Sequence, residues 1–324
     1  MQHPGEYAVR AALEPHRPDR AVTSEINQRA AAVLFGIGQP SEKVLAASAL
    51  RSRAAVADHA VQPPRLAHPP RVHLPHLGEG EGFSTLESFL QKLRGRSCHI
   101  SHLSHHCFEC SGKRLVPAAR KAARLLDKYE NVTFDTAPIS FGGAVIFTAE
   151  AELSGRIASA TGKKSIGHPA SPYRAVWYEY QKERYIDSLL WINGMELLLY
   201  IEDLSKVSLS VDFPSGGKVE SYPFIIACLM DREKRNAFLN TLNPDAAKTS
   251  TLRSLEREYS LYEIARITRS SPAAACALNN RGSLREGAIA DIVLYEPRTD
   301  IEKMFANPRH VIIGGRPVTA AGLL

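Results

Sequence analysis

The sequence predicts an α/β protein: a partial (β/α) barrel of the TIM type with a small β appendage at its C-terminal end. From about residue 69, short β-branched or apolar runs alternate with longer helical patterns, which is the mark of βα units and a parallel sheet. Several of these runs lead directly into polar residues at their C-terminal ends, where a (β/α) barrel keeps its active-site groups. From Gly282 to Gly315 the pattern changes to short strands broken by Gly and Pro (GSLREGAIADIVLY, then RHVIIGGRPV).

The expected strands cover 72–74, 99–103, 132–134 and 207–211, with helices over 84–93, 117–129, 184–199 and 261–269. The first, second and fourth strands end on potentially reactive residues. Four strands account for half of a full barrel, which has eight strands and about 250 residues. The expected organisation is an Ala/Arg-rich segment over 1–68, the later half of a barrel over 69–280 and the β tail over 281–324. The first segment ends in PPRLAHPPR, which punctuates structure, and shows helical spacing only over 23–35.

With 324 residues and 23% charged side chains the chain can bury a sizeable core. It has no run of eighteen apolar residues, and its start (MQHPGEYAVR) lacks the order of a secretory signal, so a cytoplasmic protein is expected, without membrane contact. Five cysteines point to reduced thiols, not a disulfide framework. The formal charge of +6 is spread along the chain, with short clusters such as Lys113-Arg114 and Lys163-Lys164. That disfavours a nucleic-acid surface, which gathers charge on one face, and fits an anionic small molecule.

Chemistry concentrates at three places. His73 and His76 lie at the end of the first strand, and His99-Ile-Ser-His102 at the end of the second. Strand alternation puts His99 and Ser101 on one face and Ile100 and His102 on the other, so each strand can aim one imidazole inward. Neutral imidazole held on a strand end is a good zinc ligand; hydrogen-bonded histidines of a polar loop would give the same letters. Cys107 and Cys110 have the C-x-x-C spacing of a zinc or redox site, but no second such pair exists, which leaves a structural zinc knuckle open and disfavours redox chemistry. Asp212, in SVDFPSGG, ends an apolar strand and can ligate a metal and take a proton from bound water; Asp before Pro and Gly is also an ordinary turn former. Tyr173, Arg174, Trp177 and Tyr178 follow Pro172 in what reads as a loop able to close over substrate, although most residues of these types serve core or surface packing.

The tail LREGAIADIVLY with VIIGGRPV resembles the closing signature of the amidohydrolase superfamily, which implies that the β appendage is a β-sandwich tail built from both chain ends. Four further segments, YSLYEIARITRSSPA, SVDFPSGG, KMFANP and HISHLSHH, resemble the catalytic chain of formylmethanofuran dehydrogenase and its relative in the formyltransferase/hydrolase complex of methylotrophs. This similarity covers roughly residues 70 to 320. It implies a zinc-dependent barrel, with one or two ions, that forms or hydrolyses the N-formyl amide of formylmethanofuran in one-carbon metabolism. It also implies the other subunits of such a complex as partners. By position, His73 and His102 match metal-binding histidines, Asp212 matches the aspartate that is both metal ligand and catalytic group, and His106 falls where the family also has a histidine.

The chain departs from that pattern as well. The family's first-strand His-x-His pair and its bridging carboxylated lysine have no counterpart in residues 1–68. Arg71, Pro75 and His76 replace the family's neighbours of His73, and Glu109-Cys110 replaces a Gly-Gly. Three readings follow: a truncated product, a chain completed by a separate subunit, or a non-catalytic structural subunit. Parallel edges left unpaired would make stability dependent on a partner. An amidohydrolase of different substrate is the remaining alternative.

Overall fold

The computed structural model describes residues 71–72, 82–111, 114–148, 151–167 and 173–318. Its frame is a four-stranded parallel sheet of β1 (Arg71–Val72), β2 (Cys98–Ile100), β5 (Val132–Thr136) and β9 (Val207–Leu209), in that order. The register sets Val72 beside Ile100, Ile100 beside Phe134, and Thr136 beside Leu209. These strands are the four expected ones, and β2 and β9 are buried at every residue, as a parallel sheet covered on both faces requires. Of the first strand's expected active residues, His73 and His76 lie outside the described residues.

Helices cover the sheet. Helix α1 (Gly82–Leu93) buries Leu86, Phe89, Leu90 and Leu93 along one face, and α2 (Ala119–Leu126) buries Ala119, Ala122, Ala123 and Leu126. Helix α2 is shorter than expected because the residues before it form the hairpin of β3 (Phe108–Ser111) and β4 (Arg114–Pro117). Helix α4 (Tyr185–Tyr200) is apolar nearly all round and lies in the core, with Trp191, Ile192 and Leu197 shielded from solvent. Its Gly194 is required by close approach: a Cβ there would lie 2.6 Å from the Cα of Pro138. Trp191 also packs against Phe238 of α6 (Arg232–Leu239), which stacks edge-on with Phe224 of α5 (Tyr222–Met230).

Between β5 and β9 the chain inserts an antiparallel sheet, ordered β6 (Gly142–Thr148), β8 (Arg174–Tyr180), β7 (Ser165–Gly167), with α3 (Ala151–Thr161) packed on it. This corrects the expected loop at 173–178. Arg174 to Tyr178 belong to β8, where Val176 and Tyr180 turn inward and Trp177 turns outward across Gly143.

Further on, α7 (Pro244–Thr249) starts at Asn243, and α8 (Leu261–Ala265) starts at a capping box in which Ser260 and Glu263 satisfy each other's backbone. The expected continuous helix over 261–269 breaks: α8 widens into a π turn at Arg266–Ser270 before α9 (Ser271–Ala275). Pro272 has no N–H to donate, and its ring would clash with the carbonyl four residues back in a regular helix. At the C-terminal end, β10 (Ile292–Leu294), β11 (His310–Ile313) and β12 (Arg316–Pro317) form one antiparallel sheet, with α10 (Ile301–Ala306) between the first two.

Among the described residues no helix is long and apolar enough to cross a membrane. All five cysteines are unbridged.

Candidate active site at the strand ends

The C-terminal ends of β2, β5 and β9 lie side by side because the strands are parallel and in register, and each contributes a charged or ionisable group. Near the end of β5 lies Asp135, whose residue is 4% exposed. Its Oδ1 accepts a hydrogen bond from the His102 backbone N–H at 3.0 Å and lies 3.3 Å from His102 Nδ1. Its Oδ2 lies 3.4 Å from His99 Nε2, and the other ring nitrogen of His99 pairs with Thr133 Oγ1 at 2.9 Å. Across the opening, Asp212 Oδ1 stands 3.3 Å from His102 Nε2. The arrangement is a row: Thr133, His99, Asp135, His102, Asp212.

Strand alternation does not place the two histidines. His99 and His102 both reach Asp135, although a regular strand would send them to opposite faces. The chain leaves β2 at Ile100, and His102 adopts a left-handed backbone, φ +52° and ψ +39°, which turns its ring back toward Asp135. Such a backbone costs a non-glycine residue roughly 1–3 kcal/mol, and the bond to Asp135 offsets part of it. Asp212 is also left-handed, at φ +47°.

The two carboxyls are driven in opposite directions. Burial alone would raise Asp135, but His102 and then His99, through charge and hydrogen bonding, hold it well below the usual carboxylate range. Burial pushes Asp212 up to about 6, with His102 opposing the rise and the charge of Asp135 adding to it. Asp135 is therefore a fixed anion, and Asp212 is a carboxyl poised to exchange a proton near neutral pH.

The Asp212 turn is secured by the inserted sheet. Val145 N–H donates to Pro214 O at 3.0 Å, Phe147 N–H to Ser215 Oγ at 3.2 Å, and Ser140 N–H to Gly216 O at 2.9 Å. The buried Tyr180 hydroxyl donates to Ser215 O at 3.0 Å. Gly217, at φ +148°, passes so close to Ser140 that a Cβ would lie 1.9 Å from its Oγ.

The other residues singled out in the sequence do not join this row. His106 is buried in the short 3-10 turn Leu103–His106, and among the described residues no group of three or more His, Cys, Asp or Glu could hold a metal. The C-x-x-C pair does not converge: Cys107 is buried, with its Sγ donating to Leu103 O at 3.2 Å, while Cys110 is exposed on β3. Tyr178 donates to Asp187 Oδ1 at 2.8 Å, which braces the start of α4. Asp135, Thr133 and the role of His99 are not among the sequence expectations. The signal that could have found Asp135 is its place after the apolar strand Val132–Phe134, the same pattern as Val211-Asp212.

Charged groups gathered at the C-terminal ends of parallel strands lie where α/β enzymes keep their active sites, and residues 123–319 match the Amidohydrolase family. The chain belongs to the amidohydrolase family. It is 32% identical over 272 residues to the protein FhcA of the formyltransferase/hydrolase complex of Methylorubrum extorquens, covering 81% of this chain and 50% of that protein. It is 29% identical over 280 residues to Protein FwdA of Methanocaldococcus jannaschii, covering 79% and 49%. Among solved structures it is similar to a chain of the formyltransferase/hydrolase complex FhcABCD from M. extorquens in complex with methylofuran. There the TM-score is 0.74 and the identity 32%, over 79% of this chain and 48% of that one. The chain thus spans about half the length of the relatives it matches, and the narrower resemblance read from its motifs is to these same proteins.

Proposed function

We propose that this chain supplies the later half of a metal-dependent amidohydrolase barrel that forms or hydrolyses the N-formyl amide of a formylmethanofuran-type substrate. In this reading it acts within a cytoplasmic, multi-subunit one-carbon complex, as its relatives' names suggest for them. The four parallel strands then correspond to the later barrel strands, and β10–β12 to part of a β-sandwich. The observation that carries the reading is the facing pair of His102 Nε2 and Asp212 Oδ1, 3.3 Å apart beyond the ends of β2 and β9, on either side of β5.

These two supply a nitrogen and a carboxylate donor, a set that fits a divalent metal such as zinc. The family resemblance adds His73, which follows β1 in the sequence, as a third donor, and His106 as a fourth. When bound there, one or two zinc ions would polarise the formyl oxygen and acidify water. The chain's own contribution is to hold His102 rigid through Asp135 and to carry a proton on Asp212 between water and the departing amine.

A second reading, a structural subunit without catalysis, is favoured by one observation: the described residues bring together no third metal donor. An amidohydrolase of different substrate would keep the metal and change the amide accepted.

The deciding experiment is zinc per chain, after purification without chelator, alongside hydrolysis of formylmethanofuran, simple N-formyl amines and cyclic amides. The main reading expects zinc that is lost with His102→Ala and kept when Cys107 and Cys110 are both replaced. It also expects formyl-amide cleavage abolished by Asp212→Asn. Zinc that follows the cysteines overturns it, and no zinc with no cleavage supports the structural subunit.

A further inference from the structure

We infer that Asp135 is the positioning residue of this site, fixing both the backbone and the ring orientation of His102 so that Nε2 is the nitrogen presented to the reacting centre. The inference rests on the reading of His102 and Asp212 as the working pair, and adds to it a residue that only the fold brings near them.

Register brings these groups together. Ile100 of β2 pairs with Phe134 of β5, so Asp135 stands one step beyond the last paired residue of β2, where that strand gives way to its turn. Thr133 and Asp135 are two residues apart on one strand and share a face, which lets His99 span them with both ring nitrogens. Asp135 Oδ2 meets His99, and Oδ1 meets His102 twice, accepting from the peptide N–H at 3.0 Å and standing at charge-pair distance, 3.3 Å, from ring Nδ1.

One carboxylate oxygen thus holds a left-handed residue by its main chain and its side chain together. A buried carboxylate only accepts hydrogen bonds, so the nitrogen facing it must carry the proton. His102 is tied to Asp135 by its peptide N–H, which fixes the residue, while ring Nδ1 stands at charge-pair distance from the same oxygen and Nε2 is turned the other way, toward Asp212. Fixing an imidazole through its far nitrogen is how an outer carboxylate commonly orients a metal-binding histidine.

The test uses the full chain, 15N-labelled at histidine and freed of metal, with His102 signals identified by their loss in His102→Gln. The wild type should show the His102 ring proton on Nδ1, the nitrogen facing Asp135, and slow exchange of the His102 amide. Asp135→Ala should lose the Nδ1 proton signal and speed that amide's exchange at least tenfold, on the order of one lost hydrogen bond. Asp135→Asn, whose amide oxygen can still accept at the Oδ1 position, should restore both. Thr133→Val should disturb His99 and leave His102 unchanged, which gives a folded variant even where Asp135→Ala unfolds.

Persistence of the Nδ1 proton in folded Asp135→Ala, or its loss in Thr133→Val alone, overturns the assignment. Zinc affinity adds an independent arm, expected to fall roughly 10- to 100-fold in Asp135→Ala. If the wild type binds no zinc, the metal reading fails, while the nitrogen spectra still decide the role of Asp135.

Discussion

The parallel sheet and the antiparallel insertion that interrupts it solve the same chain's polar groups in different ways. At the ends of β2, β5 and β9 the side chains do the work: two imidazoles and two carboxyls lie in a row, two of those residues in left-handed backbone. In the insertion the backbone does it, through a seven-residue ladder of β6 on β8, while the outer face stays open to solvent at Phe147 and Trp177. The contrast teaches where change is tolerated. Strained, buried side-chain networks are high-stakes positions, and an exposed ladder face is not.

The strongest way to break that contrast is to cut the parallel sheet's core. Phe134→Ala removes a fully buried ring from β5 and should lower unfolding stability by about 3–5 kcal/mol in a denaturant titration. Loss under about 1 kcal/mol would mean that the sheet is not the packed frame described above.

Next is the dependence on pH of the metal-free protein. Asp212 releases its proton near 3.8 when unfolded and near 6 when folded, so between those values the unfolded state binds fewer protons. Stability contributed here therefore falls as pH rises from about 4 to about 6 and stays lower above it, by at most about 3 kcal/mol. Asp135 has the opposite sign: its contribution is complete above 3.8 and is lost as pH falls toward its depressed folded value. Thermal melts of Asp212→Asn should show the decline between pH 4 and 6 flattened; an unchanged decline would assign it to another group.

A smaller effect sharpens the seam between the two regions. Tyr180→Phe removes the hydroxyl that meets Ser215 O and should cost about 0.5–1.5 kcal/mol, with the Asp212 turn exchanging its amides faster than the rest of the chain. Smallest is Trp177→Ala on the outer face, expected within about 0.5 kcal/mol of wild type in the same melts. A larger loss would show that the face is covered in the folded chain.

Much of the parallel frame is legible in the sequence, because buried parallel strands are short apolar runs and their polar ends announce themselves. Asp212 stands out for that reason. Asp135 does not, since Asp-Thr-Ala-Pro after Phe134 reads as a turn, yet a strand lying between two reactive neighbours in a parallel sheet must end at their level. The joint approach of His99 and His102 is not readable at all, because a single left-handed residue overturns the alternation that would separate them. Strand β8 escapes although RAVWYEY alternates well; its position after Pro172 suggests a loop, whereas proline is tolerated just ahead of a strand.

The tie between β6 and the Asp212 turn has a consequence for how the molecule assembles. Phe147 and Ser215 are 68 positions apart, so the turn is secured only after a long loop has closed. Contacts of such separation carry a loop-closure cost that local turns do not, so the position of Asp212 depends on β6 being held in place 68 positions away. The site thus joins parts of the chain far apart in sequence, and whatever bridges its two sides will hold the finished chain together.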